Sequence, residues 1–349
     1  MILSRSPTDT LRSEGCTLTG VLSVTGFLKD AVTVIHGPSG CTHHNVSLLH
    51  ASLAEIDEVQ IPCFLSSNIH EEEVIFGGEK ALLHALDAAE ARDSSLICVV
   101  STCIADTIGD DIAALCSQKR SVPVIHIPGA GFLGGGFSEG IRNALSSLLN
   151  LAEADDMRSD DGVLIVGEKN LEYEVEENFR EVSCLLSLLD LAPGIRFVRK
   201  ASVSDCRNIG SAPATILRAP SLQSVGSLLR SRFGMSVIPG FPVGPDGSIR
   251  FLEDLGDSLG VDPRPAIRDA EGMVADLYTG FDDLRDTAIR LDCSGADPAT
   301  VSAARSVLHE LRMKEASSGV LLPLPFDPPV GIAGTRRMLH SWRRCLSRA

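Results

Sequence analysis

Aromatic side chains are scarce in this chain, with one Trp and two Tyr in 349 residues. Aromatics bury the most area per residue, so the core must be assembled largely from Leu, Val, Ile and Ala. That composition suits parallel sheets, whose central strands are buried on both faces. No apolar run approaches the ~20 residues needed to span a bilayer. The opening stretch MILSRSPTDTLRSEG has no apolar core behind its charge, which argues against export, and a cytoplasmic chain is expected. Basic charge is also short. The 31 Lys and Arg against 46 Asp and Glu leave a net charge of −15, which argues against nucleic acid, because phosphate contacts need a clustered basic surface. The run Arg336, Arg337, Arg343, Arg344 and Arg348 reads as the cationic end of a last helix, complementing its dipole. No G-x-x-x-x-G-K-S/T word occurs, so no ATP is expected to bind this chain.

What is present is hydrophobic pattern in regular alternation. Strands are expected at 31–36, 59–66, 95–101 and 122–127, with helices over 45–53, 79–92, 106–119 and 138–151 between and after them. An acidic stretch, EADDMRSDD at 153–161, marks a boundary. Beyond it, strands at 162–166, 195–198, 214–217 and 237–239 alternate with helices over 174–189 and 221–233. Helices over 265–277, 298–314 and 334–346 follow, with a strand at 320–324. Helix and strand linked by short connections indicate doubly wound parallel sheets. The expected class is α/β, with two Rossmann-like domains and a helical C-terminal segment. The divisions are an arm over 1–29, an α/β domain over 30–152, a second over 162–245, and a helical extension over 246–349 whose last strand and helix return to the body.

Ten cysteines in a chain without an export signal should be thiols, metal ligands or packed core and not disulfides. Cys98, Cys116, Cys184, Cys293 and Cys345 read as small core hydrophobes. Three others differ. Cys41 in HGPSGCTHHN and Cys103 in STCIADTIGDD each directly follow an expected strand, and Cys16 stands in EGCTLTG. Ligands of open parallel sheets gather outside the carboxyl ends of strands, so topology alone delivers two of these thiols to one edge. Gly15, Gly37 and Gly40 would let backbone approach a bulky group and aim amides at it. Iron–sulfur clusters take thiolate ligands.

Around Cys41, His36, His43 and His44 are candidates for ligation, for hydrogen bonds beneath a ligand, or for plain structure: His36 closing a strand, His43 and His44 opening a helix. Asp106, Asp110 and Asp111 stand where a helix begins, and Asp106 is a candidate fourth ligand. Gly129, Gly131 and Gly134 match the spacing of a dinucleotide fingerprint. The acidic residue expected about twenty positions on falls in the linker, at Glu153 or Asp155, so a glycine-rich connection beside the cysteines is the better reading.

The words GC at 15–16, HGP-x-x-C at 36–41, E-x-x-x-F-G-G-x-x-x-L at 72–82 and S-T-C-x-x-x-x-I-G-D-D at 101–111, in this order, resemble nitrogenase component 1. That superfamily holds dinitrogenase subunits, their cofactor-assembly scaffolds, dark protochlorophyllide reductase subunits and the reductive cyclase of nickel-tetrapyrrole synthesis. The likeness is strongest over 13–150, fainter to about 280, and returns around PFDPPVGIAGTRRML. It implies that Cys16, Cys41 and Cys103 hold an iron–sulfur cluster, either 4Fe–4S or of the 8Fe–7S kind. It also implies electrons from a component 2-like homodimeric iron–sulfur ATPase, and assembly as a homodimer or as a heterodimer with a paralogue. A two-fold axis would bring six thiolates to one shared cluster; otherwise each subunit holds one cubane with a fourth ligand. Implied roles are a reductase, with a tetrapyrrole among the candidate substrates, a metallocluster scaffold, or a non-catalytic partner subunit.

Two features depart from the family pattern. Dinitrogenase subunits resemble three stacked α/β domains, and only two are expected here. The α subunit hangs its active-site cofactor from a Cys and a His. The Cys position aligns after the strand at 214–217, where this chain reads Arg218-Ala219-Pro220. Nearby Cys206 reads as a loop or core thiol, so a standard dinitrogenase α subunit is not expected.

Overall fold

The computed structural model describes residues 15–55, 62–132, 135–153 and 162–348. The expected arm before Gly15 and the acidic linker from 154 to 161 lie outside the described residues. Two units form: one takes residues 15–175 with Gly194–Pro239, the other Glu176–Pro193 with residues 240–348.

In the first unit, β1 (Ala31–His36), β2 (Phe64–Ser66), β3 (Leu96–Ser101) and β4 (Val124–Pro128) make a sheet in the order β2-β1-β3-β4. All its pairs are parallel. Along the chain, α1 (Thr17–Thr25) precedes β1 and α2 (Ser39–Glu55) follows it. Then α3 (Glu71–Phe76) and α4 (Glu79–Glu90) lie between β2 and β3, α5 (Cys103–Ile108) and α6 (Ile112–Cys116) between β3 and β4, and α7 (Phe137–Leu148) after β4. Neighbours β1 and β3 send the chain opposite ways, one towards β2 and the other towards β4. The loops leaving their carboxyl ends therefore diverge and open a crevice at that edge.

A second sheet holds β5 (Val163–Val166), β6 (Pro193–Phe197), β7 (Ala214–Leu217) and β8 (Ser236–Ile238) in the order β6-β5-β7-β8. Its β7 is parallel to β5 and β8. Between these strands the chain forms α8 (Val175–Ser187), which falls almost wholly in the other unit, then α9 (Val203–Asn208) and α10 (Gln223–Phe233). One apolar core joins both sheets, with Leu22 of α1, Val100 of β3, Leu145 of α7, Leu164 of β5 and Leu217 of β7 all at 3% exposure or less.

No helix was expected over α1, because its sequence, TLTGVLSVT, is mostly Thr, Val, Ser and Gly, weak helix formers, and has no polar face. All nine residues are buried, so tertiary packing supplies the stability that propensity does not. Asn170 Nδ2–H groups reach the carbonyls of Ser23 and Val198, each at 2.8 Å, tying α1 to the second sheet.

The expected helix over 106–119 is two short ones. Gly109 turns left-handed at φ +80° and ends α5, and the Asp111 carboxylate accepts the Ala114 N–H at 3.0 Å to start α6. The helix α2, expected over 45–53, starts at Ser39, which sets Cys41 in its first turn.

In the other unit, β9 (Ala288–Asp292), β10 (Lys314–Glu315) and β11 (Val320–Pro323) form a parallel sheet in the order β10-β9-β11. With it are α11 (Gly244–Leu259), α12 (Arg264–Thr279), α13 (Pro298–Glu310) and α14 (Gly331–Leu346). The expected helical extension thus also carries a small sheet. Its strand β9 was missed because only Ile289 and Leu291 face inwards there. The helix α11 was missed because Gly244, Pro245, Gly247 and Gly256 interrupt its apolar pattern. Fully buried Trp342 anchors the core, its Nε1–H donating to the Pro323 carbonyl at 3.0 Å. The Glu181 carboxylate accepts the Ile332 N–H at 2.6 Å and so holds the start of α14.

Candidate metal centre

The crevice edge of the first sheet receives the three cysteines. Cys16 is the N-cap of α1, Cys41 lies in the first turn of α2, and Cys103 is the first residue of α5. Each cysteine thus stands at a helix start, where backbone N–H groups without intrahelical partners are at hand. Gly15 makes the approach to Cys16 at φ +88°, and a side chain there would collide with Thr19. Cys16 is exposed, and Cys41 and Cys103 are half-buried. Burial, with the Cys16 and Cys103 thiols beside it, pushes the Cys41 thiol above its ordinary range. Cys41 thus lies within electrostatic range of both other thiols.

Among the described residues, no three His, Cys, Asp or Glu side chains close on a point for a single metal ion. A mononuclear site needs ligands converging at about 2.3 Å, whereas a polynuclear cluster takes each thiolate on a different iron. Three further observations fit such a group. The Gly131 N–H donates to Cys103 Sγ at 3.3 Å. A Cβ on Gly131 or Gly135 would press on Thr17 Oγ1, whereas one on Gly40 would meet open space. Beside the cysteines, Thr17 Oγ1 and Thr42 Oγ1 are buried without a hydrogen-bond partner, which leaves two hydroxyl donors available to a sulfide-rich occupant.

The candidate histidines separate. His36 is fully buried. Its Nδ1 meets Ser67 Oγ at 2.8 Å and its Nε2 meets Asp110 Oδ2 at 2.9 Å. Ser67 Oγ also accepts the Gly37 N–H at 3.0 Å, so its own hydrogen serves Nδ1, and Nε2 carries the proton towards Asp110. Both ring nitrogens are thus engaged. Burial lowers the His36 pKa more than Asp110 raises it, so the ring is neutral. His43 and His44 are exposed on α2, in its second turn, because the helix begins earlier than expected. Asp106 is exposed in the first turn of α5.

Sequence reasoning missed several contributors. Asp110 reads in the sequence as a helix-start residue, but it receives both His36 and the Gly78 N–H, each at 2.9 Å. Ser67 and Thr102 carried no signal beyond following a strand. His126 of β4 also escaped notice; its Nε2 is buried without a partner, and burial lowers its pKa against the pull of Asp106.

Two expectations about core cysteines are corrected. Cys98 and Cys116 are buried and Cys345 is half-buried against the core, but Cys184 and Cys293 are exposed. Cys184 sits on the outward face of α8 between buried Val182 and Leu185, and Cys293 follows β9 where its strand leaves the core. After β7, Arg218 is 5% exposed and forks onto Glu172, with Nη2 to Oε1 at 2.7 Å and Nε to Oε2 at 3.3 Å. A second buried fork joins Arg196 to Glu168, both bonds at 2.7 Å. Cys206 is fully buried. Among the described residues no helix is long and apolar enough to cross a membrane.

A family model described as nitrogenase component 1 type oxidoreductase matches residues 16–319. The chain is 28% identical over 263 residues to the nitrogenase iron-molybdenum cofactor biosynthesis protein NifE of Clostridium pasteurianum, covering 73% of this chain and 56% of that protein. It is 29% identical over 184 residues to the nitrogenase molybdenum-iron protein alpha chain of Methanothermobacter thermautotrophicus, covering 47% and 39%. The solved structure of nitrogenase Cp1 at pH 6.5 shares the fold, with a TM-score of 0.66 at 19% identity over 89% of this chain and 63% of that one. The chain spans about half the length of the curated relatives it matches, 56% in the first case.

Proposed function

The chain belongs to the nitrogenase component 1 type oxidoreductase family, and we propose that it is an electron-relay subunit holding an iron–sulfur cluster on Cys16, Cys41 and Cys103. The observation that carries this reading is the meeting of three thiols from three separate elements at one crevice edge. A bound cluster supplies one-electron transfer at low potential. The chain's own part is to bind, orient and shield. The cysteines ligate from helix starts, the Gly131 N–H draws charge from Cys103 Sγ, and buried α1 closes the site from one side. The electrons come from a component 2-like partner that hydrolyses ATP, and the subunit passes them to a substrate of the tetrapyrrole kind, as one of two like or paralogous subunits.

A second reading, a metallocluster-assembly scaffold, is favoured by one observation. Where a cofactor-anchoring cysteine would follow β7, the structure has the buried Arg218–Glu172 pair, and a relative of the chain is named for cofactor biosynthesis.

Anaerobic purification, with iron and sulfide counted and EPR recorded on wild type and Cys41→Ala, tests the cluster. Iron and a cluster signal in wild type, lost in the variant, are expected; a colourless, iron-free wild type overturns the reading. The relay is then tested by mixing with a reduced component 2-like protein. ATP-dependent oxidation supports it, whereas transfer of an intact cluster to an acceptor protein without turnover establishes the scaffold instead.

A further inference from the structure

Cys103 is presented by a helix of only six residues, α5. A helix this short cannot hold itself in water, because its nucleation cost is spread over too few bonds. Something outside it must fix both its ends. One residue on a neighbouring strand contacts both.

We propose that His36 is the positioning residue of the metal centre, stapling α5 at its two ends and thereby setting Cys103 relative to Cys41. Its carbonyl oxygen accepts the Thr102 N–H at 3.1 Å and the Thr102 hydroxyl at 2.9 Å. Thr102 is the N-cap of α5 and immediately precedes Cys103. Its ring donates from Nε2 to Asp110, one residue past the left-handed Gly109 that ends the helix. The same residue is the last of β1, so it also starts the loop to Cys41. That loop is held in turn, since the Gly37 N–H donates to Ser67 Oγ, which itself bonds His36 Nδ1. Asp110 is fixed by the Gly78 N–H. At Gly37 a side chain would strike Thr102, so the strand end and the start of α5 lie in direct contact.

The staple therefore runs Gly78–Asp110–His36–Ser67–Gly37, with Thr102 bound from the side, and every group in it is satisfied. Networks of this completeness in a buried site rigidify what they join. A small ring displacement would move Asp110, tilt α5 and change where Cys103 Sγ points. His36 makes no contact with iron in this scheme; it acts through Thr102 and Asp110.

This inference rests on the cluster reading for its consequence, but the stapling itself does not, and the two are tested by separate measurements on the full-length chain. In iron-free, reduced protein, dibromobimane cross-linking of Cys41 to Cys103, mapped by peptide mass, reports their relative placement. His36→Leu should slow this cross-link about tenfold, and His36→Gln, which restores a donor near Asp110, should recover part of it. In iron-loaded protein, His36→Leu should release iron to a chelator about tenfold faster, with a broadened EPR signal and a displaced midpoint potential. Should His36→Leu fail to fold, Asp110→Asn takes its place, with the same losses expected. Cross-linking, EPR and potential all unchanged in a folded variant overturn the staple. A wild type without iron overturns the cluster reading and leaves the cross-linking result to decide the staple.

Discussion

Gly20 of α1 and Gly140 of α7 touch backbone to backbone. A Cβ on Gly140 would stand 2.8 Å from the Val21 nitrogen and 2.9 Å from the Gly20 Cα, and one on Gly20 would stand 3.1 Å from the Gly140 Cα. These are main-chain atoms of two buried helices, so neither side can yield cheaply. The crossing sets the depth of α1 and with it the position of Cys16, the N-cap. Gly140→Ala should cost about 1–3 kcal/mol by chemical denaturation and weaken iron retention. Gly136→Ala, at the N-cap of the same helix with open space around it, should cost no more than about 1 kcal/mol, through the cap alone, and leave iron retention unchanged.

Cys98 and Cys103 lie five positions apart and should respond oppositely. Cys98 is fully buried in β3, where burial drives its thiol far above the ordinary range. Cys98→Ser puts a hydroxyl into apolar surroundings and should cost about 1–3 kcal/mol while iron content is retained. Cys103→Ala should leave the fold nearly as stable and abolish the cluster signal. Equal iron loss from both variants would mean that iron tracks stability and not ligation.

The Arg218–Glu172 fork is buried on both sides, at 5% and 6% side-chain exposure. Breaking one partner of such a pair costs about 3–5 kcal/mol, and replacing both with apolar residues much less. Arg218→Met should therefore destabilise strongly, and the double variant Arg218→Met, Glu172→Leu should recover most of the loss. Urea midpoints of the three proteins decide it; a double variant as weak as the single would show that each residue is held chiefly by other contacts.

Burial holds His36 below its ordinary pKa. The unfolded chain thus takes up a proton near pH 6.5 while the folded chain does not. Stability is complete above that pH and falls as pH drops through it, by as much as about 1.4 kcal/mol per pH unit for one proton. Iron-free wild type should lose stability between about pH 7.5 and about pH 5.5. His36→Gln should start less stable but show a shallower loss. His126, lowered by burial in the same way, adds to the slope and remains in that variant.

Much of this architecture was legible in sequence. Strands β1 and β7 fall within the stretches read from their apolar runs, and the elements around β3 and β5 differ by a residue or two. Cys41 and Cys103 stood recognisably at strand ends, because alternation of helix and strand forces both onto one sheet edge. Less legible were α1, whose buried faces leave no periodic signal, and the break at Gly109, where one left-handed residue interrupts an otherwise continuous apolar pattern. Asp110 read as a helix-start acid, since nothing local distinguishes that role from a partnership with His36.

The amino-acid sequence by itself determined the class of fold, the sheet edge that receives two of the thiols, and the chemistry those thiols favour, because each follows from short-range pattern and residue type. The tertiary structure alone decided that Cys16 joins them, that Arg218 after β7 meets Glu172, and that His36 spans both ends of α5. These last relationships join residues far apart in the chain, 46 positions for Arg218 and Glu172 and 74 for His36 and Asp110. No local periodicity encodes such pairs; they exist only once the helices and sheets have packed at backbone distance.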